Sequence, residues 1–131
     1  LNPDDFINPH KSVLGLGNYD VNCLMQALEV KNYDLIWFDK RKEINEENID
    51  INQAFGFIFN LNSNIQFGYL TLPIKSRHWI SFRRLNDGNF YNLDSKLNRP
   101  MVIGGNEDFI AYLRMEMINN DKEFFIVSER T

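Results

Sequence analysis

A chain of 131 residues, 44% of them hydrophobic, is long enough to bury one hydrophobic core, and we expect a single globular domain. The net charge of −4 and the pI near 5.1 remove any overall attraction to phosphate backbones, so a nucleic-acid partner is not expected. No apolar run approaches the roughly 20 residues that cross a bilayer, so we expect no membrane span.

The chain has one cysteine and two histidines. One cysteine excludes an internal disulfide, and one thiol with two imidazoles is too few ligands for a structural zinc site. We therefore expect no metal and no cofactor. The single thiol and the lack of any Asn-x-Ser/Thr acceptor favour a reducing compartment, which predicts the cytoplasm, with the nucleus as an alternative.

The first third of the chain predicts a loop followed by a helix. Residues 1–18 hold two Asn-Pro pairs and two glycines, a composition that is typical of an ordered loop. Apolar residues then recur at helical spacing and predict a helix from about residue 20 to residue 31. These residues are Val21, Leu24, Met25 and Leu28.

Short runs of strand-forming residues follow. We expect strands at 35–38 and 55–61, the second ended by the NSN sequence of residues 62–64, and a third strand at 65–72. The charged stretch at 39–50 is most simply a solvated connection or a short helix, and residues 73–77 resemble a turn.

The last third of the chain predicts a β-hairpin, a helix and a final strand. Strand-like runs at 78–85 and 89–93 are joined across Asn86, Asp87 and Gly88, a strong hairpin signal. A helix is predicted at 107–118 and a strand at 124–127. The helix has an apolar stripe formed by Phe109, Ile110, Leu113 and Met117. Together these elements predict an α+β fold with an antiparallel sheet and flanking helices.

The length of the hairpin loop decides whether His78 and Asp94 can meet. A three-residue loop places Leu85 opposite Asn89 and Ile80 opposite Asp94, so His78 and Asp94 project from the same side of the sheet. A two-residue loop shifts the register by one residue and turns Asp94 to the opposite side. A functional pair therefore requires the longer loop, with Gly88 in a left-handed conformation.

An imidazole beside a carboxylate can act as a base with its orienting partner. We expect Asp94 to accept a hydrogen bond from Nδ1 of His78, which leaves Nε2 free to take or donate a proton. Trp79 follows His78 along the strand and is expected to pack on the other side. On its own such a pair is weak evidence for catalysis, because most His and Asp residues of a small domain are structural.

Four segments resemble the Josephin domain of ubiquitin-cleaving cysteine proteases, and they occur in the order of that family. They are GNYDVNCLMQAL at 17–28, DLIWFD at 34–39, HWISFRR at 78–84 and YNLDSKL at 91–97. The resemblance covers most of the chain and implies that residues 1–131 form part of a Josephin catalytic domain. It implies a papain-like fold whose N-terminal helical segment is missing, and hydrolysis of isopeptide or peptide bonds at the C-terminus of ubiquitin or polyubiquitin.

The same resemblance assigns roles by position. It makes His78 the catalytic general base and acid, and it gives Asp94 the place of the orienting Asn or Asp. Tyr19, Val21 and Asn22 lie in the region that faces ubiquitin in members of the family. For Val21, a position in the core is the simple alternative.

The family's nucleophilic cysteine, with a glutamine that helps bind the oxyanion, stands earlier than any segment matched in this chain. We expect an upstream segment or a second chain to supply that cysteine, unless this piece is inactive. Cys23 is an alternative nucleophile because it lies within about one turn of a helix start. A buried structural thiol is the favoured interpretation of Cys23.

Two rival functions remain open at this point. A non-catalytic ubiquitin-binding module fits a chain that has no cysteine at the family's catalytic position. An unrelated α/β domain with a chance hairpin predicts no contact between His78 and Asp94.

Overall fold

The computed structural model describes residues 21–67 and 70–130, with side chains at 25–61 and 78–130. In these residues six strands form one antiparallel sheet in the order β1-β6-β2-β3-β4-β5. The strands are β1 (Tyr33–Trp37), β2 (Gly56–Phe67), β3 (Leu70–Arg84), β4 (Phe90–Asn92), β5 (Met101–Gly104) and β6 (Lys122–Glu129). The helices are α1 (Val21–Val30) and α2 (Asn106–Glu116). The predicted α+β class is confirmed.

Each side of the sheet carries its own core because side chains alternate along every strand. The larger core lies under α2 and is rich in phenylalanine. Its central residues are Phe57, Phe59, Phe82, Phe90, Phe109 and Phe124. The smaller core lies on the other side and includes Leu28 of α1 with Ile58, Trp79, Phe125 and Val127.

Phe109 of α2 is the residue that fixes the helix to the hairpin strands. Its ring is fully buried and stacks on Phe90 of β4 with centroids 4.3 Å apart and planes 7° apart. It also contacts Phe57 of β2 at 5.0 Å and Phe82 of β3 at 5.8 Å. One aromatic side chain therefore contacts three neighbouring strands, which fixes their spacing near the hairpin.

Both helices lie close to their predicted bounds. The stripe of α2 is confirmed, since Phe109, Ile110 and Leu113 are buried and Met117 packs against them. In α1 Leu28 is buried, whereas Met25 is 38% exposed and contributes little to the core. The predicted loop at 1–18 lies outside the described residues.

Two expectations about the first half of the sheet are wrong. Residues 62–64 do not end a strand, because β2 continues to Phe67 and pairs with a β3 that begins at Leu70. Residues 73–77 are not a turn but part of β3. Pro73 is accommodated where the register shifts between Asn64 and Gln66, a bulge at which a missing backbone donor is tolerated.

Two further segments differ from the sequence-based expectation. The charged stretch at 39–50 is not wholly solvated, because Ile49 is fully buried in the larger core and Ile44 packs against it. Strand β5 was not predicted, since MVIG is short and follows a turn-rich segment. It pairs with β4 and extends the sheet by one strand beyond the hairpin.

Gly88 gives a first test of the hairpin. Its φ of +85° is a left-handed conformation that an alanine adopts only at a cost. We expect Gly88→Ala to destabilise the domain by about 1 kcal/mol, or about 4 °C in a thermal melt. Gly88→Asn should cost less, because asparagine tolerates this region.

Gly105→Ser is the matched control. Gly105 has a negative φ, and a Cβ there meets no atom within 4 Å. Its serine variant should melt within about 1 °C of the parent, because serine is favoured at a helix N-cap. Equal melting temperatures for Gly88→Ala and Gly105→Ser would contradict the left-handed loop.

Candidate active site

The hairpin has the longer of the two predicted loops. Phe82 pairs with Asn92, Arg83 with Tyr91 and Arg84 with Phe90, and the Leu85 N–H donates to the Asn89 carbonyl at 2.9 Å. Asn86, Asp87 and Gly88 are therefore the three loop residues. This register confirms the arrangement that the functional interpretation required.

The register brings His78 and Asp94 together. The Leu93 N–H donates to the Ser81 carbonyl at 2.9 Å, so the pairing continues past the end of β4 and places Asp94 opposite Ile80. His78 lies two residues from Ile80 on the same side of β3, which makes Asp94 its diagonal neighbour. Nε2 of His78 lies 2.8 Å from Oδ1 of Asp94, and we call these two residues the His78–Asp94 pair.

The expected role of the two ring nitrogens is reversed. Asp94 contacts Nε2 and not Nδ1, because a diagonal partner is reached by the ring nitrogen that lies furthest from the backbone. An ionised carboxylate only accepts hydrogen bonds, so Nε2–H is the donor. In the neutral ring the lone pair is then on Nδ1, and Nδ1 is the atom that can take a proton from a reacting group.

The His78–Asp94 pair is largely buried, but part of the imidazole is accessible to solvent. The side chain of His78 is 23% exposed and that of Asp94 is 13% exposed. Partial burial strengthens the contact between an imidazole and a carboxylate, while the remaining exposure leaves one side of the ring open to a substrate.

The Asp94 carboxylate is held by the loop that follows β4. Its Oδ1 also accepts the Lys96 N–H at 3.0 Å, and the Leu97 N–H donates to the Asp94 carbonyl at 3.0 Å. The Asp94 N–H donates to Oδ1 of Asn92 at 2.9 Å. Carboxamide and carboxylate side chains that accept a backbone N–H two residues later are Asx turns, and two of them overlap here.

Asn92 was not singled out in the sequence analysis, although a signal was present. Asn92 and Asp94 stand two residues apart at the end of a short strand, which is the spacing of consecutive Asx turns. Burial raises the pKa of Tyr112 of α2, and the neighbouring Asn92 side chain partly opposes the increase.

Trp79 lies on the opposite side of the sheet from His78, as expected. Its side chain is 4% exposed and its ring is 6.2 Å from that of Phe125 in the smaller core. Trp79 therefore anchors β3 in the smaller core and helps to fix the backbone position of the adjacent His78.

The side chains of the remaining candidate site residues are not described by the structure. Tyr19 lies outside the described residues, and Val21, Asn22 and Cys23 lie in the first turn of α1, where side chains are not described. Their proposed contacts with ubiquitin, and the structural interpretation of Cys23, stay predictions.

A surface pocket in the described part of the chain is separate from the His78–Asp94 pair. It measures about 470 Å³ and is lined by Trp37, Phe38, Asp39, Lys40, Arg41 and Glu123. Its charged groups pair with one another: Arg41 donates hydrogen bonds to Asp39 and lowers the pKa of that carboxyl to about 2. Lys40 contacts Glu123 at 3.0 Å. These pairs leave the pocket without an obvious reactive group.

No group of three or more His, Cys, Asp or Glu side chains in the described residues could hold a metal ion. Among the described helices, none has the length and apolar character needed to cross a membrane.

Comparison with known proteins identifies the relatives of this chain. The Josephin family model matches residues 2–128. A Josephin-like protein of Drosophila melanogaster is 40% identical over 132 residues, covering 100% of this chain and 58% of that protein. Human Josephin-2 is 39% identical over 127 residues, covering 97% of this chain and 66% of that protein. The chain thus spans about three fifths of the length of these relatives.

A more distant relative agrees with this assignment. A Josephin-like protein of Arabidopsis thaliana is 36% identical over 110 residues, or 82% of this chain. The Josephin domain has a papain-like fold, and its family is associated with cysteine-type deubiquitinases and with ubiquitin. The sequence match over nearly the whole length shows that this chain belongs to the Josephin family.

Proposed function

We propose that this chain carries the base and the orienting acid of a cysteine-type deubiquitinase that cleaves isopeptide or peptide bonds at the C-terminus of ubiquitin. The observation that supports this most directly is the 2.8 Å contact between Nε2 of His78 and Asp94, with Nδ1 left for a reacting thiol. Family membership supplies the class of reaction, and this pair supplies two of the groups that the reaction needs.

In the first half of the reaction, Nδ1 of His78 takes the proton of a cysteine thiol. The thiolate sulfur attacks the carbonyl carbon of the last ubiquitin residue and forms a C–S bond. The protonated imidazole gives its proton to the departing amine as the C–N bond breaks, which leaves a thioester. Asp94 keeps the ring oriented and stabilises its positive charge throughout.

In the second half, a water molecule replaces the amine. His78 takes a proton from that water, whose oxygen attacks the thioester carbon, and the C–S bond breaks as the imidazolium returns this proton to the departing sulfur. The products are the restored thiol and a ubiquitin carboxylic acid, which releases its remaining proton to solvent.

The proposed reaction also needs a cysteine nucleophile. An upstream segment or a second chain supplies it in our preferred account, because the family resemblance places the catalytic cysteine ahead of the matched segments. Cys23 is the one cysteine in the sequence and the competing candidate. We further propose a cytoplasmic location and ubiquitin contacts at Tyr19, Val21 and Asn22.

A ubiquitin with a thiol-reactive group at its C-terminus tests the proposal. The protein as expressed from its gene, including any residues ahead of Leu1, should form a covalent adduct. His78→Ala should slow adduct formation by about 10²-fold or more, because the thiol loses its base. The measurement is the rate of adduct formation by gel shift, with the modified cysteine located by mass spectrometry.

Asp87→Ala is the matched control, since Asp87 is an acid at the exposed tip of the same hairpin. It should react at the parental rate. Reversible ubiquitin binding without an adduct would contradict the protease and support a ubiquitin-binding module. An adduct at Cys23 would overturn the upstream nucleophile and the structural interpretation of that thiol.

Asp94 gives a second test by graded substitution. Asp94→Ala removes the acceptor of the His78 Nε2–H and should lower kcat by about 10²- to 10⁴-fold with a smaller change in KM. Asp94→Asn should retain more activity, because its amide oxygen can still accept from Nε2–H and from the Lys96 N–H. Equal kcat values for the alanine variant and the parent would rule out Asp94 as the orienting group.

A further inference from the structure

We propose that Asn92 is a positioning residue for the His78–Asp94 pair: it fixes the Asp94 backbone and so sets where the carboxylate meets the imidazole. This inference rests on the proposed function for its catalytic consequence, while its structural content can be measured without any turnover. Asn92 touches neither the ring of His78 nor, in our account, the substrate.

The burial of Asn92 indicates a specific role. It is the last residue of β4 and is only 7% exposed, although an asparagine at the end of a strand is usually solvated. A buried carboxamide is retained where its polar atoms find partners. The oxygen of Asn92 has such a partner in the Asp94 N–H.

The side-chain oxygen of Asn92 holds the start of the loop that follows β4. Its Oδ1 accepts the Asp94 N–H at 2.9 Å, which closes a turn over Leu93. Leu93 is 3% exposed and anchors that turn in the protein interior. The position of the Asp94 backbone is therefore set from two sides, by the carboxamide and by the buried side chain between them.

The side chain of Asn92 also faces helix α2, because it lies on the same side of the sheet as Phe82, its partner in β3. Tyr112 of α2 is half-buried and packs edge-on against Phe82 at 5.7 Å, and Asn92 is near enough to oppose the rise in the pKa of Tyr112. Tyr112 is in turn placed by α2, whose Phe109 contacts the hairpin strands. Asn92 thus lies between α2 and the His78–Asp94 pair.

The proposed role of Asn92 concerns the position of the Asp94 carboxylate and not the stability of the fold. Without the carboxamide, the Asp94 N–H loses its acceptor, and Asp94 is held only by the Lys96 N–H on its carboxylate and the Leu97 N–H on its backbone carbonyl. The His78 Nε2–H then has a less well-placed acceptor and exchanges with solvent more readily. We expect the core of phenylalanine rings to remain in place, because Asn92 is not a member of that cluster.

The test is NMR of the ¹⁵N-labelled full chain, with the His78 ring signal identified by its loss in His78→Gln. In the parent, the Nε2–H should give a slowly exchanging signal, because it is held by Asp94. Asn92→Ala and Asn92→Leu should raise its exchange rate at least tenfold. Leucine fills the volume of asparagine, so the comparison does not depend on the alanine variant folding.

Two variants complete the design. Asn92→Asp keeps the acceptor for the Asp94 N–H and should preserve the slow signal. Asn89→Ala removes the same amide from the same hairpin, where it faces Asp87, and should leave the signal unchanged. Parental exchange rates in Asn92→Leu would overturn the positioning role.

Turnover of the complete protein adds a separate readout. Asn92→Leu should lower kcat at least tenfold with KM within about twofold, and Asn92→Asp should restore most of the rate. A changed Nε2–H signal in a protein that never forms a ubiquitin adduct would support the positioning role and reject the protease. A normal signal in an active protease would reject the positioning role alone.

Discussion

The register of one β-hairpin is the constraint on which the candidate site depends. The Leu85 N–H donates to the Asn89 carbonyl, so the loop holds three residues and not two, with Gly88 in a left-handed conformation. A shift of one residue would turn every side chain of the second strand to the other side of the sheet. That shift would separate Asp94 from His78, and it would also expose Phe90, which is now 1% exposed. The catalytic geometry and the core therefore require the same register.

The aromatic core explains why this register is stable. Phe109 stacks on Phe90 and contacts Phe82, the residues that flank the hairpin loop on both strands. Burying a phenylalanine stabilises the fold by about 1.5–3 kcal/mol, and several rings share this cluster. Helix α2 thus contributes to the site without supplying a group that reacts. Tyr112, one turn along the helix, packs against Phe82 next to Asn92.

Much of this arrangement could be predicted from local sequence. The helical stripe of α2 and the Asn-Asp-Gly hairpin were predicted, and the period of two along the strands showed that a three-residue loop would place His78 and Asp94 on one side of the sheet. The sequence left a two-residue loop open, and the structure decided between them. Sequence did not reveal which ring nitrogen faces Asp94, because that depends on the diagonal offset between the two strands. It also missed β5 and the long β2–β3 pairing, where tertiary contacts outweigh the turn-forming residues Asn62, Asn64 and Pro73.

The central claim is that Nδ1 of His78 faces the reacting thiol while Nε2 is held by Asp94. The most direct measurement is a crystal structure of the complete protein joined covalently to ubiquitin through its catalytic cysteine. Our account predicts that Nδ1 lies within hydrogen-bonding distance of the sulfur that carries ubiquitin, with Nε2 still on Asp94. A sulfur that lies on the Trp79 side of the sheet, or a ring turned so that Nδ1 meets Asp94, would contradict it.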